Sequence, residues 1–69
     1  MYTMKMHELL WKAGFENTGE NRRLLDKAVR ETLGMERSEE PEVWERVQQA
    51  MKESRKEFEG KIIRLLLTY

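Results

Sequence analysis

Apolar side chains recur at helical spacing from Trp44 to Tyr69, through a segment otherwise dense with charge and across a glycine at position 60. At about 100° per residue, Trp44, Val47, Met51, Ser54, Phe58, Ile62, Leu65, Leu66 and Tyr69 fall within an arc of roughly 120°. A new element starting after Gly60 has no reason to keep that register. The phase therefore predicts one helix over about residues 40–67. A mid-helix glycine costs roughly 1 kcal/mol relative to alanine, which packing on both sides offsets. A second reading stands beside this one. Residues 61–69 alternate weakly, with Ile63, Leu65, Leu67 and Tyr69 on one side, and as a strand they would pair with residues 1–6. Leucine and arginine favour helix over strand, so helix is the expectation.

Two shorter helices precede the long one. Thr3 is a candidate cap for a helix ending near Ala13, with Gly14 as its stop. Met6, Leu9, Leu10 and Ala13 share one face of it, and Met4, His7 and Trp11 lie roughly opposite. Residues 16–21, Glu-Asn-Thr-Gly-Glu-Asn, are turn and cap chemistry. Either Thr18 or Asn21 caps a second helix over about residues 20–33. Gly34 closes that helix, with Met35 folding back as the apolar contact of the closure. Ser38 is a candidate cap for the third helix. Pro41 is tolerated in its first turn, and Glu39, Glu40 and Glu42 suit the positive end of its dipole. The expected fold is all-α: a single helical domain over residues 1–69, three helices with a long C-terminal one, dimerised as a helical bundle.

The dimer follows from length. A straight helix of about 27 residues is roughly 40 Å long, whereas a compact chain of this size has a radius of gyration of about 11 Å. Helices one and two cannot cover such a rod. Its tip is apolar on more than one side, because Ile63 and Leu67 point roughly 100° to 140° away from the Trp44 stripe. The expected self-association set is Phe58, Ile62, Ile63, Leu65, Leu66, Leu67 and Tyr69. Two-fold homodimers are the commonest soluble assemblies.

Composition narrows the functional classes. There is no cysteine and only one histidine, so disulfide staples, thiolate sites and imidazole cages are excluded. The lack of cysteine fits a reducing compartment, and a cytoplasmic location is expected. No run of 18 apolar residues exists to span a membrane, and the N-terminus does not read as a secretory signal. No catalytic, cofactor-binding or metal-binding set emerges, so the chain is expected not to be an enzyme. Ser38 and Ser54 have no histidine near in sequence, the glycines are too scattered for a phosphate cradle, and the acidic cluster at residues 39–42 reads as helix-start charge.

Two binding surfaces remain. Met4, His7 and Trp11 combine an aromatic with a methionine, an adaptable surface for another protein. Arg22, Arg23, Lys27 and Arg30 form a basic stripe on the second helix of a helix–turn–helix-like arrangement, where a dimeric regulator would meet DNA. Against that stands a balance of 13 basic and 13 acidic residues, since dedicated nucleic-acid binders are basic. The favoured reading is a non-enzymatic module that self-associates through its C-terminal helix and binds another protein. The DNA-binding regulator is the alternative.

Overall fold

The computed structural model describes residues 1–69 and is all-helical, with no strand. A 3-10 turn, Tyr2–Met6, runs into α1, His7–Lys12; α2 is Gly19–Leu33 and α3 is Glu40–Thr68. The strand reading of the C-terminus is therefore replaced by helix through Thr68.

Local chemistry sets most of the boundaries. Thr18 is extended and caps α2: its Oγ1 accepts from the Asn21 amide at 3.1 Å. Gly34, at φ 68°, turns the chain left-handed. Its amide donates to the Glu31 carbonyl and that of Met35 to the Arg30 carbonyl, the paired bonds of a Schellman closure. Met35 then packs on the core. α1 ends the same way. Gly14 has φ 84°, its amide reaches the Trp11 carbonyl, that of Phe15 reaches Leu10, and Phe15 folds against the core. Two expected caps are not realised. Glu39, not Ser38, precedes α3 without a side-chain cap, and Thr3 lies fully buried inside the 3-10 turn, its hydroxyl unpartnered.

α3 supplies Val43, Val47, Ala50, Phe58, Ile62 and Leu66 to a core completed by Leu9 and Leu10 of α1 and Leu25, Ala28 and Val29 of α2; Val43 and Ala50 lie outside the expected stripe, whose Trp44 and Met51 are only half-buried. The straight rod, however, does not form. α3 holds 29 residues, which would reach about 43 Å unbent, yet the molecule measures 25 × 23 × 20 Å with a radius of gyration of 10.8 Å. The break is at Ser54, whose φ −162° and ψ 67° are the only non-helical pair inside α3. Gly60 stays helical. Bent there, α3 folds its second half back, and Phe58, Ile62 and Leu66 are buried by their own chain. Contrary to expectation, α3 does not outreach the rest of the molecule, because the bend halves its reach. Ser54 begins a Ser-x-x-Glu sequence, the spacing of a capping box, and its hydroxyl donates to Glu57 Oε2 at 3.4 Å.

Candidate interaction surface

The inward face of α1 is fixed by Leu9 and Leu10, both buried, which forces residues half a turn away into solvent. Trp11 is 80 % exposed and Met4 is 59 % exposed; His7 is exposed as well. His7 and Trp11 stand four residues apart on one face and line a shallow depression of about 250 Å³ with Glu8, Phe15, Glu16 and Asn17. Met4 is tied to them by its carbonyl, 3.0 Å from His7 Nδ1, but does not line the depression. Phe15 was not anticipated from sequence. The Gly14 closure carries it back against the core, where it lines the same depression as Trp11, and an aromatic directly after a helix-ending glycine is the signal that could have found it.

The self-association set is divided. Phe58, Ile62 and Leu66 are core residues of the single chain, and Ile63 and Leu65 are half-buried against it. Leu67 and Tyr69 remain exposed, at 64 % and 43 %. Lys27 sits over the Tyr69 ring, 4.7 Å from its centroid. Partial burial, then Glu31, push the Tyr69 hydroxyl up to about 12.

The basic stripe is divided too. Arg30 is engaged inside the molecule. Its Nε bonds Asp26 at 3.0 Å, and its Nη1 donates to the Ser38 carbonyl at 2.5 Å and to that of Met35 at 3.4 Å. It thus ties the end of α2 to the connection leading into α3. Arg22 bonds Asn17 Oδ1 at 2.6 Å, and Lys27 covers Tyr69. Arg23 and Lys27 are both exposed and without a hydrogen-bond or ion-pair partner, and of the two only Lys27 lies over an aromatic ring.

Asp26 is also the acceptor of the Tyr2 hydroxyl. Tyr2 stacks on Trp44 with ring centroids 6.1 Å apart, its amide donates to Glu40 Oε1 at 2.9 Å, and Lys5 lies over the other ring at 5.3 Å. The N-terminal turn is thus clamped to α2 and to the start of α3. Burial, then the hydrogen bond to Asp26, raise the Tyr2 hydroxyl well above its ordinary range. An unfolded tyrosine releases its proton near pH 10, so above that pH the folded chain binds more protons than the unfolded one. Stability that is complete below pH 10 should fall as pH rises further, by about 1.4 kcal/mol per unit for a fully protected tyrosine. Denaturant melts between pH 9 and 12 should show this loss in the wild type and a shallower one in Tyr2→Phe.

No three His, Cys, Asp or Glu side chains gather to hold a metal ion, and no helix is long and apolar enough to cross a membrane. Fold and surface together define a small all-helical domain with an exposed aromatic face beside a clamped N-terminal turn. No protein-family model matches the chain, and no curated protein or solved structure is significantly similar to it.

Proposed function

We propose that this chain is a non-enzymatic interaction module that binds another protein through the Trp11 face of α1 and self-associates through the C-terminal half of α3. The observation that carries the first part is the 80 % exposure of Trp11, the most exposed of the large apolar side chains. Burying a side chain of this size against a partner gains about 2 to 3 kcal/mol, and tryptophan is the residue most enriched among binding hot spots. Glu8 and Glu16 flank the depression, which favours a partner that sets a cation beside its apolar contact. The self-association part rests on the second half of α3, whose apolar face of Phe58, Ile62 and Leu66 lies wholly beyond the break at Ser54. The DNA-binding alternative loses support because Arg30 is spent on Asp26 and the Ser38 carbonyl.

Trp11→Ala tests the reading. Stability should change by no more than about 0.5 kcal/mol, as for surface substitutions generally. Retention of a partner captured by the wild-type chain should fall by roughly 30-fold or more, the scale of a 2 kcal/mol hot spot. A Trp11→Ala chain that still captures the same partner would refute the placement of the surface. Retention of duplex DNA that decays steeply with salt, and is lost in Arg23→Glu, would favour the regulator instead.

A further inference from the structure

We propose that residues 55–68 are an exchangeable arm, and that the C-terminal segment pairs with a second copy of this chain by trading places with the copy's own arm. The inference rests on the self-association part of the reading above and specifies its form.

The bend at Ser54 is held by little. Residues 51–59 contain neither glycine nor proline, and Lys52, Glu53, Arg55, Lys56 and Glu57 are exposed. Most of these are strong helix formers. Each ion pair within α3 lies wholly on one side of the bend: Arg46 with Glu53 before it, Arg55 with Glu59 and Lys61 with Glu57 after it. Straightening α3 would therefore break none of them, and locally only the Ser54–Glu57 hydrogen bond at 3.4 Å. Trp44, Val47 and Met51 keep helical phase with Phe58, Ile62 and Leu66 across residue 54, so a continuous helix retains an apolar stripe, although the fully buried positions before the bend, Val43, Val47 and Ala50, lie roughly 90° round from those after it.

The arm itself is not free to float. Phe58, Ile62 and Leu66 are at most 5 % exposed, and a straight α3 would lift all three off the core and into water. That surface would demand cover. The shape that fits it is the cavity the arm has just left, and every second copy with a straightened α3 offers the same cavity. Exchange remakes the same contacts between two chains, closes as a symmetric pair, and is the low-cost route by which a folded monomer becomes a dimer. The balance between bent monomer and exchanged dimer then depends on the hinge and on concentration.

The chain lacks cysteine, so single thiols can be placed at will. Lys12 Nζ and Glu59 Oε1 are 3.4 Å apart within one bent chain. Lys12→Cys and Glu59→Cys chains are refolded together at high concentration, diluted, and treated with a short bismaleimide. Exchange predicts a cross-linked product joining one chain of each kind. Ser54→Ala, which removes the Ser54–Glu57 hydrogen bond of the bent form only, should tighten dimerisation roughly 30-fold, since a hydrogen bond is typically worth about fivefold and the dimer has two hinges. Arg55→Pro, at the first position of the second half, suits the bent form and forbids a continuous helix. It should abolish the mixed product while leaving helicity intact. A dimer by sedimentation with no mixed product would overturn the exchange and leave self-association standing. Monomers throughout, in wild type and Ser54→Ala alike, would overturn both.

Discussion

Ile62→Ala should lower the thermal midpoint by about 10 °C or more, while Leu67→Ala, five residues on, should leave it nearly untouched. Ile62 has no exposed surface, whereas Leu67 is 64 % exposed. Truncating a fully buried isoleucine removes its transfer energy and leaves a cavity, together costing about 2 to 5 kcal/mol. A domain of this length is stable by only about 3 to 10 kcal/mol in total. At roughly 4 to 8 °C per kcal/mol, the thermal midpoint should drop by 10 °C or more. Leu67→Ala should stay within about 0.5 kcal/mol. Thermal melts followed by circular dichroism at two protein concentrations give both numbers. Were the tip sheltered side by side against a neighbour, Leu67→Ala would also lower the midpoint, and more so on dilution. Equal loss from both substitutions would mean that the second half of α3 is not packed on its own chain.

That contrast also shows why the C-terminal helix was only half legible. The stripe from Trp44 to Tyr69 implied the helix and, at Val47, Phe58, Ile62 and Leu66, its buried face, but Val43 and Ala50 are buried in place of Trp44 and Met51. It carried no information on straightness. The buried face shifts at the bend, Val43, Val47 and Ala50 lying roughly 90° round the helix from Phe58, Ile62 and Leu66, but Trp44 and Met51 keep the apolar pattern unbroken in the sequence. Periodicity is blind to such a bend, and the remaining trace is local: Ser54 followed at the third position by Glu57. The closures at Gly14 and Gly34 were legible because only a left-handed residue builds that geometry cheaply.

At the surface, the exposed positions on α1 followed from helical spacing, since Leu9 and Leu10 could not be buried without turning Trp11 outward. The fate of the basic stripe did not. Arg30 has the spacing of a solvent-facing cation, but a side chain that long can fold over the end of its helix onto carbonyls beyond it. Its bond to Ser38, eight residues away, depends on the path of a connection that sequence spacing does not define. Tyr2 was hidden for the same reason. Its partners Asp26 and Glu40 lie 24 and 38 residues along the chain.

Those partners set the second large effect. Asp26→Ala should destabilise the domain by about 2 to 4 kcal/mol, although Asp26 has no apolar surface to contribute. The substitution strands two groups at once: the hydroxyl of Tyr2, a residue only 4 % exposed, and the Arg30 guanidinium, whose side chain is 18 % exposed. Leaving a buried donor unsatisfied costs about 1 to 3 kcal/mol, and an unpaired, partly buried charge adds to that. Tyr2→Phe alone deletes the donor together with its need and should cost about 1 kcal/mol. The double variant should then be less damaged than the two singles combined, by about 1 to 2 kcal/mol, because the hydroxyl can be stranded only while it is present. Denaturant titration of the four proteins closes the cycle. Simple additivity would mean that Tyr2 and Asp26 do not act together, and that stacking on Trp44 and the bond to Glu40 hold the N-terminal turn without help from α2.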